Sequence, residues 1–115
     1  MEHDPNKGVS QTFEAIRTLV QHGEVVISEH GYDELANDSL SAKEIIAGLA
    51  QASVIEDYPD YPKGPCVLTL QLDDERRPIH VVWGVPKGET SPAVLVTAYR
   101  PNPDLWTEDF KRRTK

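Results

Sequence analysis

Basic residues are scarce in this chain. Twelve Lys and Arg stand against nineteen Asp and Glu, a formal charge of −7 over 115 residues. That balance opposes generic nucleic-acid binding, whose affinity comes mostly from neutralising phosphates. Cysteine is nearly absent: Cys66 stands alone and cannot close a disulfide within the chain, which favours a reducing compartment. No apolar run approaches the roughly 20 residues that span a bilayer. The first ten residues, MEHDPNKGVS, are polar and do not read as a secretory signal. H-x-x-H, C-x-x-C and H-E-x-x-H spacings are missing, as are a glycine-rich phosphate loop and a G-x-S-x-G elbow. We therefore expect no metal and no cofactor. What remains is a small cytoplasmic protein with no membrane contact, a flexible leader over 1–9 and one domain over 10–115.

The elements follow from local signals. Ser10 caps a helix running to about Gln21, with Phe13, Ile16, Leu19 and Val20 at helical spacing and Gly23 at its end. EVVIS (24–28) is a short β-branched strand, and Ser28 caps a second helix with His30 in its first turn. Ser41 and Glu44 form a capping-box pattern ahead of a third helix. Strands follow at 53–58, 66–72, 78–85 and 93–99, separated by turn-rich stretches. Trp106 and Phe110, four apart behind Asp104, predict a short C-terminal helix. The class is α+β: an antiparallel sheet of four to five strands with two to three helices on one face, and the other face partly open.

Strand side chains alternate, so parity assigns them to faces. In RRPIHVVW (76–83), Ile79, Val81 and Trp83 share one face and His80 and Val82 the other. If the more apolar face of each strand meets the helices, the open face carries Thr69, Gln71, His80, Thr97 and Tyr99. Val67, Thr69 and Gln71 are then opposed to Leu68, Leu70 and Leu72, and Leu95, Thr97 and Tyr99 to Val94, Val96 and Ala98. Thr69, Gln71 and Thr97 are accordingly the candidate binding residues of that face.

The segments ISEHGYDEL, IEDYP, RPIHVVW and VLVTAYRPNPDLW, in this order, resemble Domain of Unknown Function 4258. That small bacterial family is grouped with RelE/ParE-like toxins. The resemblance implies a RelE-like fold and the metal-independent endoribonuclease of a toxin–antitoxin pair, with mRNA and an antitoxin as partners. Such chemistry needs an acid, a base and cations about one phosphate. His30 and His80 are the candidate acid–base pair, with Tyr99 bonding or stacking on the substrate. Arg77 and Arg100 are the first candidates for phosphate contact, followed by Arg112 and Arg113 in the basic tail. The chain departs from the family at its second helix. Gly31 replaces the usual alanine, and Glu34 stands where the family has an arginine, so an anion replaces a phosphate-holding cation. A second reading therefore stands beside the first: a non-catalytic member of the fold that binds a protein or a small ligand on its open face.

Overall fold

The computed structural model describes residues 10–114, so the leader expected over 1–9 lies outside the described residues. Helix α1 (Gln11–Gln21) leads into β1 (Val25–Ile27), α2 (Glu29–Asn37) and α3 (Ala42–Gly48), which tightens into a 3₁₀ turn at Leu49–Gln51. Four strands complete the order: β2 (Ser53–Tyr58), β3 (Cys66–Leu72), β4 (Pro78–Gly84) and β5 (Ala93–Tyr99). Each helix starts on a serine whose hydroxyl accepts a first-turn N–H: Ser10 from Phe13, Ser28 from Gly31 and Ser41 from Glu44. The capping box at Ser41 is only half made, because the Glu44 carboxylate turns away and accepts the Asp74 N–H at 3.3 Å.

The five strands form one sheet in the order β1-β5-β4-β3-β2. The sheet is mixed, not wholly antiparallel as expected: β1 runs parallel to β5, while every other neighbour pair is antiparallel. Placing α1 and α2 on either side of β1 allows that parallel entry. The Ser28 hydroxyl pins the junction, accepting from Gly31 N–H and donating to the Val96 carbonyl. Phe13, Ile16, Leu35, Ile45 and Leu49 of the helices pack on Val67, Ile79, Val81, Trp83 and Leu95 of the sheet.

Three further expectations are corrected. First, β3 is turned over. Thr69 and Gln71 lie buried under the helices, not on the open face, and Leu68 and Leu70 take the opposite side. The polar pair tolerates burial because it is bonded. Gln71 Nε2–H donates to the Ile45 carbonyl at 2.8 Å, and its Oε1 accepts the Trp83 indole N–H at 2.9 Å. Second, parity does not persist along β5. Trp83 faces Leu95 but Val82 faces Thr97, so Val96 is an extra residue, a bulge. Leu95 and Ala98 therefore both reach the core, and Val94, Val96, Thr97 and Tyr99 fall on the open face. Third, no C-terminal helix forms. Asn102 and Asp109 accept N–H groups two residues ahead, and Thr107 N–H bonds Arg112 O while Thr114 N–H bonds Leu105 O. Residues 100–114 thus make a hairpin-like strap with Phe110 at a positive φ of 59°.

Candidate functional site on the open sheet face

The register lays out the uncovered face in rows. Tyr58, Cys66, Gly84 and Val94 stand abreast, then Glu56, Leu68, Val82 and Thr97, then Leu70, His80 and Tyr99. Since β3 is turned over and β5 bulged, this face is more apolar than the alternation implied. Gly84 places no side chain in the first row, and a groove of about 600 Å³ opens over it. Its floor is Cys66, Leu68, Val82, Val94 and Val96, and Tyr58, Tyr61, Lys63, Tyr99, Glu56 and Arg113 line it as well.

The groove's acid is internally answered. Glu56 accepts the Tyr58 hydroxyl at 2.6 Å and pairs with the Arg113 guanidinium, whose Nη2 lies 3.4 Å from Oε1. Burial would raise the Glu56 carboxyl, but the hydrogen bonds from Arg113 and Tyr58 outweigh it and hold it low. Arg113 also lies over the Trp106 ring, 4.9 Å from its centroid. Burial pushes up both the Tyr99 phenol and the Cys66 thiol, so both stay protonated at neutral pH. Cys66, half-buried, forms part of the groove floor.

His80 shares the face with the groove but is not open. The strap and Tyr99 of β5 enclose it: Trp106 packs roughly perpendicular to the imidazole at 4.4 Å, Tyr99 at 5.5 Å, and the Phe110 carbonyl lies 2.8 Å from Nε2. His30 is elsewhere. Its side chain is 64% exposed on α2 and lies 3.4 Å from the Glu34 carboxylate. The two candidate acid–base groups are not brought together.

Nor do the candidate phosphate ligands stand free. Arg77 pairs with Asp73 at 3.3 Å and Glu75 at 2.7 Å, and Arg100 donates to Asp73 at 2.7 Å and to the Pro78 carbonyl. Asp73, 8% exposed, gathers both cations at the β3–β4 turn. Arg113 is bound to Glu56, and Arg112 is exposed on the strap. Thr97 sits on the open face as expected, half-buried beside Val82. Thr69 and Gln71 are excluded from it by burial. The groove-lining Leu68, Val82, Val94 and Val96 carry no polar group to single them out in the sequence. Their signal was Gly84, a glycine late in a strand otherwise rich in bulky residues.

The turn carries an acid-sensitivity. The N–H of Arg77, then the Arg100 guanidinium and the N–H of Glu75, hold the Asp73 carboxyl at about 2, below its ordinary 3.8. Its stabilising contribution is therefore complete above about pH 4 and is lost as the pH falls through about 2. Asp73→Asn should be less stable than the parent in urea at neutral pH, and the gap should close towards pH 2. A gap independent of pH would assign the effect to the turn's hydrogen bonds alone.

Fold and site together define an α+β domain with helices on one face of a mixed sheet and an apolar groove on the other. The chain belongs to the family described as a domain of unknown function (DUF4258), whose model matches residues 27–100. No curated protein and no solved structure matches it. The matched span runs from the end of β1 to Arg100, so it takes in α2, the four long strands and His80, and stops where the strap begins. Among the described residues no three His, Cys, Asp or Glu side chains gather as metal ligands, and no helix is long and apolar enough to cross a membrane.

Proposed function

We propose that this domain is a binding module whose open sheet face takes a small apolar ligand with an anionic head. The observation that carries the reading is the groove: an apolar floor on the side of the sheet that the helices leave uncovered, about 600 Å³ in volume. That size lies within the roughly 300–1,000 Å³ of small-molecule sites. The charge of the head follows from the rim. Glu56 has its oxygens taken by Arg113 and Tyr58, whereas Lys63 has no acid within ion-pair distance among the described residues. An anion at Lys63 with its apolar body along Leu68, Val82 and Val96 leaves no buried charge unanswered.

The RelE/ParE relationship and the mRNA cleavage implied by the family resemblance need an acid and a base at one phosphate. His30 faces solvent, His80 is enclosed, and Arg77 and Arg100 are committed to Asp73. Together with the −7 charge, this favours binding over catalysis. A protein partner such as an antitoxin is the other occupant to test on the same face.

Dansylated undecanoic acid, followed by fluorescence, tests the reading. The acid should bind, Val82→Glu should abolish binding, and Lys63→Glu should weaken the acid roughly three- to tenfold while leaving its methyl ester unchanged. No binding of acid or ester by the parent protein, or equal binding by a folded Val82→Glu, overturns it. RNA incubated in parallel should stay intact; cleavage lost in His80→Ala would give the site to the nuclease reading.

A further inference from the structure

The strap over His80 is held without a covalent bond. Trp106, 7% exposed, packs on the imidazole, Phe110 lends its carbonyl, and Arg113 reaches across to Glu56 of β2. A carbonyl has no proton to give, so the His80 Nε2 must carry the proton between them. In the neutral ring Nδ1 is then a lone pair. Nδ1 is the one fully buried side-chain nitrogen or oxygen among the described residues that has no hydrogen-bond partner. A proton added there would form an N–H with no acceptor, on a ring enclosed between Trp106 and Tyr99, each roughly perpendicular to it.

We propose that His80 is a pH-sensitive latch: it holds the C-terminal strap on the sheet while neutral and releases it when protonated at Nδ1. Glu56 of β2 favours the proton, Arg113 of the strap opposes it, Tyr99 of β5 is a neutral phenol, and Leu70 of β3 brings no charge. Burial is the largest influence, and the balance lies below the ordinary 6.5. Release restores water to the ring and its ordinary affinity for protons. The docked strap is thus fully favoured above about pH 6.5 and loses ground as the pH falls below it. Because Arg113 both anchors the strap and walls the groove, release also opens that end of the groove. The latch itself does not depend on what the groove binds.

Trp106 emission reports the strap, since the other tryptophan, Trp83, is buried on the helix side of the sheet. Titrating from about pH 7.5 to about pH 4.5 should give a red shift of Trp106 emission that is absent in Trp106→Phe, while the far-ultraviolet circular dichroism stays constant. His80→Gln keeps an N–H for Phe110 but cannot titrate, so its emission should be flat over that range. No shift in the parent protein, the same shift in a folded His80→Gln, or loss of the sheet signal at the same pH would each overturn the latch. The absence or presence of dansyl-acid binding bears on the groove alone.

Discussion

Gln71→Leu is expected to destabilise the fold by about 3 kcal/mol, although it puts a better hydrophobe in a buried strand of nearly the same volume. The side chain stands 2% exposed between the sheet and α3. Its Oε1 accepts the Trp83 indole N–H, and its Nε2 donates to the Ile45 carbonyl where α3 tightens and Leu49 N–H bonds Ile46 instead. An indole can only donate and a carbonyl can only accept, so the amide has one workable orientation. The Thr69 hydroxyl, 3.0 Å from Val81 O and 3.3 Å from Gln71 Oε1, closes the cluster. Leucine leaves the indole N–H and a helix-end carbonyl dry and unpaired, each costing about 1–3 kcal/mol, with a small return from added apolar burial. Thr97→Ala, across the sheet on the open face, should change stability by no more than about 0.5 kcal/mol. Urea unfolding of the two variants checks which side of the sheet each residue occupies. Similar losses for both would refute the assignment.

The same cluster explains why part of the fold was legible and part was not. Helix starts were readable because Ser10, Ser28 and Ser41 act on N–H groups three residues away. The strand of His80 was readable because Ile79, Val81 and Trp83 are so much more apolar than the alternate set. In β3 the contrast misled: Thr69 and Gln71 look like solvent residues until the indole and the Ile45 carbonyl, 12 and 26 residues away, supply their partners. In β5 a single bulge at Val96 switched the faces of everything before it, and no residue type marks a bulge whose carbonyl is answered from Ser28. The strap read as a helix because Trp106 and Phe110 are four apart. Asx turns at Asn102 and Asp109, and the Thr107–Arg112 and Thr114–Leu105 backbone bonds, decided otherwise.

The site was legible to the same degree. Tyr99 does stand opposite His80, as parity and strand order implied, because neither depends on the bulge. Whether that pair was open depended on the strap, whose attachments lie 26 to 57 residues away in sequence from the residues they hold. The turned β3 has the larger consequence. It moved two polar residues into the core and two leucines out, converting an expected polar surface into an apolar groove. A binding reading therefore gained most from the very strand whose faces had been assigned the wrong way round.

Gly64→Ala should be the most damaging change at the groove, lowering stability by roughly 3 kcal/mol and removing ligand binding with it. Gly64 has a φ of 125°, a backbone conformation essentially reserved for glycine. A Cβ there would run into the Val85 carbonyl and stand 2.7 Å from Lys87 N, both backbone atoms that cannot rotate away. These contacts exist because two loops are zipped together beside the groove: Lys87 N–H bonds Lys63 O and Val85 N–H bonds Pro65 O. Forcing them apart breaks those bonds and carries Tyr61 and Lys63 off the rim. Gly23→Ala is the matched control. Its φ of 76° is also unfavourable, but nothing lies within 4 Å of the added carbon, so it should cost only the backbone term of about 1–2 kcal/mol. Thermal unfolding of both, with the dansyl-acid titration repeated on each, separates the two effects. Gly23→Ala should bind as the parent does and Gly64→Ala should not. Equal stability losses would mean that the loops part freely, and the groove's closed end would then owe its shape to something other than this contact.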